Sequence, residues 1–294
     1  MIYTLPRKLF KGIICLNNKR AYIQGLYNKN HIEQSCMNWK RENFSAGILT
    51  IKANSWRGFV EYIQNDLSNY RAYIYRGQRE LNPLEPSLDR IDGVNISDPF
   101  KLLEAFKKAS RGRRTFPAKD LTDDEWWALG QEHGLKTPLL DWTESPFVAS
   151  FFAFEERRKS EKLPNLRIVY AIAKQKVETK SKEIMASGPV PVLIGFDAVE
   201  IISPQVDDNS RLINQSGLFT KKLGWNRNIE TWVSKHFKNE IDAVMIKIII
   251  GENVGERDEF LRFLNRMNIN HLTLFPDLDG AAKYCNMRFE IKDY

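Results

Sequence analysis

Cysteine is scarce in this 294-residue chain: Cys15, Cys36 and Cys285 lie far apart, form no Cys-x-x-Cys pair and leave an odd count. That spacing excludes a disulfide framework and a cysteine zinc site, and it predicts free thiols. Long apolar runs are missing as well. No stretch of about 18 uninterrupted apolar residues occurs, and Met1 to Lys19 has neither the apolar block nor the small-residue cleavage site of a secretory signal. The expectation is a soluble cytosolic protein with no membrane partner. Gly-x-x-x-x-Gly-Lys, Gly-x-Gly-x-x-Gly and His-Glu-x-x-His are absent, which removes support for P-loop, Rossmann and zincin chemistry. Asp277, Asp279 and Gly280 resemble a fragment of a calcium loop, but the twelfth-position glutamate is lacking. The two acids are read as helix-capping residues, and no metal site is expected.

Apolar residues at 43% and charged residues at 28% describe a chain able to bury a substantial core. The net charge of +7 and pI near 9.2 admit an acidic partner such as a nucleotide or nucleic acid, and fit a generally basic surface equally well. Lys107, Lys108, Arg111, Arg113 and Arg114 form the sharpest basic cluster. At the C-terminal end of a helix they answer the macrodipole; the alternative is phosphate binding.

Hydrophobic periodicity predicts mixed α+β structure. Strand-like pieces at Gly12 to Leu16, Ala21 to Leu26 and Gly47 to Ile51 suggest a β-rich N-terminal extension over residues 1–52, suited to partner or target contact. One main domain, 53–294, follows. Its predicted helices begin at Ser55, Phe100, Asp124, Ser145, Glu230, Glu256 and Pro276. Its predicted strands are Tyr73 to Gln78, Leu166 to Ile172, Val190 to Ile194, Ala198 to Ile202, Ala243 to Ile250 and His271 to Phe275.

The stretch around which the chain is organised runs from Gln131 to Phe154. Its first half gathers His133, Thr137, Asp141, Trp142, Thr143 and Ser145 around a glycine and two prolines, and its second half is almost wholly apolar. A polar loop pinned to a buried helix is a candidate pocket floor. Pro146 suits a first helical turn, with Thr143 or Ser145 as the cap. His133 either polarises an acceptor or caps a helix. Asp141, between Leu140 and Trp142, is read as a buried acid that organises the loop.

Two further segments carry candidate chemistry. On the strand through Tyr75, Arg76, Gly77 and Gln78, Arg76 shares a face with Ile74 and so must find acceptors. Either it makes a structural ion pair or it holds an anion, with Gly77 letting a ligand approach the backbone. Asp207 to Thr220 mixes Arg211, Gln215 and Gly217 in front of a strand.

Tyr75-Arg76-Gly77-Gln78, then Gln131-Glu132-His133-Gly134-Leu135 with Thr137 and Leu139-Leu140-Asp141-Trp142-Thr143-Glu144-Ser145-Pro146, then Arg211 with Gln215-Ser216-Gly217-Leu218-Phe219, closely resemble the FRG domain. The resemblance spans roughly residues 55 to 285. The sequence departs from the family pattern at Glu132, Lys136 and Pro138, where the family commonly has His, Pro and Arg, so roles resting on those residues do not carry over.

The order of elements also looks like that of ADP-ribosyltransferases, which implies a split β-sandwich-like core and NAD as substrate, and the FRG resemblance implies a bacterial toxin or phage-defence role. Nucleic acid and an inhibitory protein are the partners it suggests. Under that resemblance Arg76 holds the pyrophosphate, Trp142 or Tyr75 stacks on a ring, and Thr143 or Ser145 binds ribose. Gln215 stands at the late catalytic position, and Gln78, Asp141 and Arg211 complete the binding set. An amide is no general base, which leaves Glu132, Asp141 or Glu144 for that task. The rival functions are a nucleotide- or nucleic-acid-binding module without chemistry, and a nuclease, against which the missing acidic metal cluster counts.

Overall fold

The computed structural model describes residues 38–67, 70–91, 93, 98–113, 121–157, 166–188, 196–203, 210–224, 228–253 and 255–294. β1 (Trp39–Ser45) and β2 (Ile48–Ala53) form a hairpin whose two turn residues, Ala46 and Gly47, have φ of 49° and 75°. Left-handed residues at both turn positions match the twist of the flanking strands. β2 then runs parallel to β8 (Met245–Gly251), from Ile48 opposite Met245 to Ala53 opposite Ile250. β8 pairs antiparallel with β5 (Leu166–Ala173), and β5 with β3 (Tyr73–Gln78). Beyond β3 lie β4 (Leu139–Thr143), β7 (Gly217–Leu223) and β6 (Ala198–Ile202), giving one eight-stranded sheet in the order β1-β2-β8-β5-β3-β4-β7-β6.

The sheet is uneven. β3 and β5 stay paired from Tyr73 opposite Ala173 to Gln78 opposite Ile168, whereas β3 and β4 meet at the single pair Tyr75 and Thr143. The fold is thus mixed α+β, as expected, and the two halves anticipated as a split sandwich are joined at that seam.

Ten α-helices cover the sheet: α1 (Trp56–Asn65), α2 (Asp98–Ala109), α3 (Asp123–Glu132), α4 (Pro146–Phe154), α5 (Lys174–Ala186), α6 (Ser210–Asn214), α7 (Ile229–His236), α8 (Glu256–Arg266), α9 (His271–Leu274) and α10 (Leu278–Glu290). The number refers to the described residues. β5 is central, with Ile168 to Ile172 buried on both faces. Ile168, Tyr170 and Ile172 join Ile74, Leu140, Trp142 and Trp232 in one core cluster. Alternation sends Val169 and Ala171 to the opposite face. There α4 packs on β3 and β5, within an aromatic layer that includes Trp56, Phe59, Phe147, Phe154 and Phe260.

Several expectations change. Residues 38–294 form one compact unit, so the break expected at residue 52 falls inside a strand of the main sheet. The segment expected as a strand at 271–275 is helical at His271–Leu274. Asn270 accepts from Thr273 N at 3.1 Å in a capping box, and this local bonding overrides the strand preference of Leu-Thr-Leu-Phe. α5 was not anticipated, because its lysine-rich sequence buries little beyond Val177 and Ser181. Strands expected at 12–16, 21–26 and 190–194 lie outside the described residues. Among the described residues no helix is long and apolar enough to cross a membrane.

Candidate functional site

A cavity of about 400 Å³ opens where β3 and β4 diverge. Its lining draws on β3 (Tyr75, Arg76, Gly77), on β4 (Asp141, Trp142, Thr143), on the end of α3 (Gln131, Glu132), on α4 and its C-cap (Ala149, Phe152, Glu155), and on the 211–219 segment with Phe275. The volume lies within the range of small-molecule sites.

Arg76 leaves β3 on the Ile74 face, opposite Tyr170, while Asp141 leaves β4 on the face of Thr143. The guanidinium crosses the seam between them. One terminal nitrogen donates to the Asp141 carbonyl at 2.8 Å and to its Oδ2 at 3.3 Å. Arg76 thereby supplies the bond that a longer β3–β4 ladder would have given that carbonyl. Burial lowers the Arg76 pKa from its ordinary value, and Asp141 opposes that shift. Its Nε is buried and has no partner among the described residues.

Asp141 is the hub of a chain that joins the separate polar segments. Thr137 Oγ1 donates to Gln131 Oε1, Gln131 Nε2 donates to Asp141 Oδ1, and Arg76 donates to Oδ2. Thr137 is fully buried, so its bond to Gln131 also satisfies a hydroxyl that water does not reach. The expected burial of Asp141 is corrected: its side chain is 61% exposed. It organises the loop through bonds made at the rim, where a carboxylate keeps its hydration.

Gly77 has a use that its sequence position did not show. A Cβ there would lie 1.8 Å from Ala149 O and 2.8 Å from Ala153 N, so the bare strand lets α4 dock against it. The expectation that Gly77 makes room for a ligand gives way to helix packing. α4 is fixed at its other end too. Ser145 Oγ accepts from Val148 N at 3.2 Å, and past the last turn Arg257 donates to Phe154 O at 3.0 Å while Arg167 donates to Ala153 O at 2.9 Å.

The remaining wall combines charge and aromatic surface. Burial raises the Glu132 pKa; His133 and Arg211 pull it down and Asp277 adds to the rise. Arg211 bonds Asp277 and lies 5.6 Å from the Phe275 centroid. Phe152 meets Phe275 edge to face at 6.1 Å. Glu155 accepts from or faces His271 Nε2 at 2.9 Å.

Of the candidate residues, Tyr75, Arg76, Asp141, Trp142, Thr143, Arg211 and Gln215 reach this cavity, whereas Gln78, His133 and Ser145 do not. Gln78 is buried in β3 away from it, His133 is an exposed C-cap of α3, and Ser145 caps α4. Some residues that reach it are already engaged. Thr143 Oγ1 donates to Gln215 O at 2.6 Å and accepts from Ser145 N at 3.1 Å, so its ribose-binding role gives way to loop closure. Trp142 is 3% exposed and donates to Thr220 Oγ1 at 2.8 Å, and Tyr75 is fully buried. Neither ring presents a free face, and the half-buried aromatic rings lining the cavity are Phe152 and Phe275. Gln215 donates to Leu274 O at 3.2 Å. Sequence reasoning missed Phe152, Glu155, His271 and Phe275. A run of four phenylalanines in eight residues does not say which ring faces the cavity, and the other three stand on elements misread or read as a charged turn.

Residues 71–162 match the family model of the FRG domain. The match supports the FRG family and contains β3, α2, α3, β4 and α4, hence the whole Arg76–Asp141–Gln131–Thr137 chain, while Arg211, Gln215 and Phe275 fall outside it. Comparison with curated proteins and with solved structures gives no match.

Proposed function

We propose that the seam cavity binds NAD and that the protein is an NAD-dependent ADP-ribosyltransferase acting on a nucleic acid or protein, in the manner of a bacterial toxin or phage-defence effector. The observation that carries this reading is the Arg76 guanidinium at the break in the sheet. It is half-buried, with its side chain 17% exposed, is tied to Asp141 by one nitrogen, and has a buried Nε without a partner among the described residues. A guanidinium with donors left over is suited to phosphate oxygens. The FRG match over the same residues supports the assignment.

The chemistry asked of the site is modest. The bond between ribose C1′ and the nicotinamide nitrogen breaks, its electron pair leaves with the neutral ring, and the acceptor's nucleophile bonds to C1′. The proton released by the acceptor passes to Glu132, the cavity carboxyl whose burial raises its proton affinity. Arg76 orients the pyrophosphate, so that the reacting carbon is held against the acceptor side.

The test is incubation of the full chain with NAD labelled in its adenylate half, with and without DNA, RNA and cell extract, while free nicotinamide is measured. Label on a macromolecule together with nicotinamide release is the expected result. Turnover should rise with pH through a value above the ordinary glutamate pKa of about 4.3, and Glu132→Gln should remove that limb. A second reading, a nucleotide-binding module, is favoured by one fact: the Thr143 hydroxyl and the Gln215 amide are both spent on neighbouring carbonyls. NAD binding without nicotinamide release would establish it for this ligand; absence of NAD binding would refute the transferase reading, and absence of binding to ATP and GTP as well would refute the second.

A further inference from the structure

The cavity has a second charged end whose groups the proposed transfer does not use. Glu155 lines it from the C-cap of α4, with its side chain 19% exposed. A carboxylate there stands at the negative end of a helix, where the dipole disfavours it. Arg167 and Arg257 both reach this helix end, yet their bonds to it go to backbone carbonyls: Ala153 and Glu156 for Arg167, Phe154 and Glu155 for Arg257. Among the described residues, the side chain that bonds the Glu155 carboxylate is His271. His271 is buried and its Nδ1 has no partner there, so its polar contact is spent on holding Glu155. The carboxylate is fixed toward the cavity and keeps acceptor capacity.

Its neighbours are aromatic. Phe152 and Phe275 stand perpendicular at 6.1 Å, and His271 stacks on Phe275 at 5.9 Å. Arg211 and Lys283 lie 5.6 and 5.4 Å from the Phe275 centroid, so cations already gather on that ring. Phe152 is the half-buried ring at the cavity that carries no cation among the described residues. A fixed carboxylate beside an aromatic face is a site for a planar cation.

Resting on the NAD reading, the geometry points to Glu155 and Phe152 as the end that takes the positively charged pyridinium ring, making Glu155 the residue that distinguishes oxidised from reduced dinucleotide. Arg76 then takes the phosphates at the opposite charge, and the ligand's orientation is set by this division. The reduced ring is neutral and gains nothing from Glu155.

Calorimetric titration of the full chain with NAD+ and with NADH tests this, beside titration with N1-methylnicotinamide and nicotinamide, which isolate the ring. NAD+ should bind about tenfold more tightly than NADH, the factor expected for a partly desolvated cation on carboxylate and ring, and N1-methylnicotinamide more tightly than nicotinamide. Glu155→Gln should bring the two dinucleotide affinities together, and Phe152→Leu should reduce the discrimination. Equal binding of NAD+ and NADH by the unmodified protein overturns the charge assignment alone, as does a preference that survives in folded Glu155→Gln. Binding of neither dinucleotide overturns the NAD reading, and this inference with it.

Discussion

Replacing Gly77 by alanine is the sharpest test of how the sheet and the cavity are coupled. Gly→Ala in a compatible backbone stabilises by about 0.4–1 kcal/mol, because the unfolded chain loses freedom. Here the sign should reverse. The added Cβ meets Ala149 O at 1.8 Å, Ala149 C at 2.8 Å and Ala153 N at 2.8 Å. All three are backbone atoms, so no rotamer change relieves them. An ordinary C···O contact of about 3.3 Å requires α4 to retreat by roughly 1.5 Å. That helix buries Ala149, Phe151, Ala153 and Phe154 completely, so a retreat opens voids along its length. Overpacking typically costs 1–3 kcal/mol, and the added voids put this substitution at about 3 kcal/mol or more. For a unit of this size that lowers Tm by roughly 6–12 °C. Urea denaturation followed by far-UV dichroism gives the free energy directly. Ala149→Gly should not rescue it, since the clash is with a carbonyl. Because Ala149, Phe152 and Glu155 ride on α4, any folded Gly77→Ala protein should also bind dinucleotide weakly. Unchanged stability in Gly77→Ala would refute the close-packing account.

Two other substitutions separate fold from function. Arg76→Lys keeps a charge but not the fork that serves Asp141 and a ligand together, so calorimetry should show NAD affinity reduced about tenfold with near-native melting; Arg76→Ala leaves the Asp141 carbonyl unpaired at the seam and should lose about 1–3 kcal/mol as well. Unchanged NAD affinity in folded Arg76→Ala would make the residue a strut only. On the far side of the sheet, burial tends to raise the Asp197 pKa, but hydrogen bonds from Lys222, Lys235 and His236 outweigh it and hold the carboxyl well below its ordinary range. Its stabilisation is therefore fully present above about pH 5 and is lost progressively as pH falls from there, through the ordinary aspartate value of about 3.9, to the depressed value. Asp197→Asn strands Lys222, whose side chain is 2% exposed, and should cost about 3–5 kcal/mol in urea titrations at neutral pH while flattening the acid limb of the stability curve.

The parts of the fold that were legible are those in which periodicity and local chemistry agree. β5 and β8 read as strands because both are apolar runs rich in β-branched residues, β5 buried on both faces and β8 on the face of Ile246, Ile248 and Ile250, and α4 read as a helix because Ser145 and Pro146 announce its start. The segment at 271–275 misled because its side chains favour extended structure while the Asn270 cap folds it into a turn of helix. α5 escaped because a helix that touches the core through few residues leaves almost no periodic signal.

The site divides along the same line. Arg76 and Asp141 were visible in sequence because each is a polar residue set beside apolar ones, and a buried polar group needs a partner, whereas Thr137 was legible only as a member of the polar loop and Gln131 only as part of the FRG-like motif. Their pairing with each other, and the exposure of Asp141, depend on how β3 and β4 separate after Tyr75 and Thr143. Glu155 and His271 are 116 positions apart, and nothing near either residue signals the other. Glu155 begins a charged stretch that reads as solvent-facing, and two arginines from β5 and α8 are needed to hold its backbone where the carboxylate faces inward. The residues that share the seam's polar chain can be found one segment at a time, but the cation-binding end exists only after α4, β5, α8 and α9 have packed together.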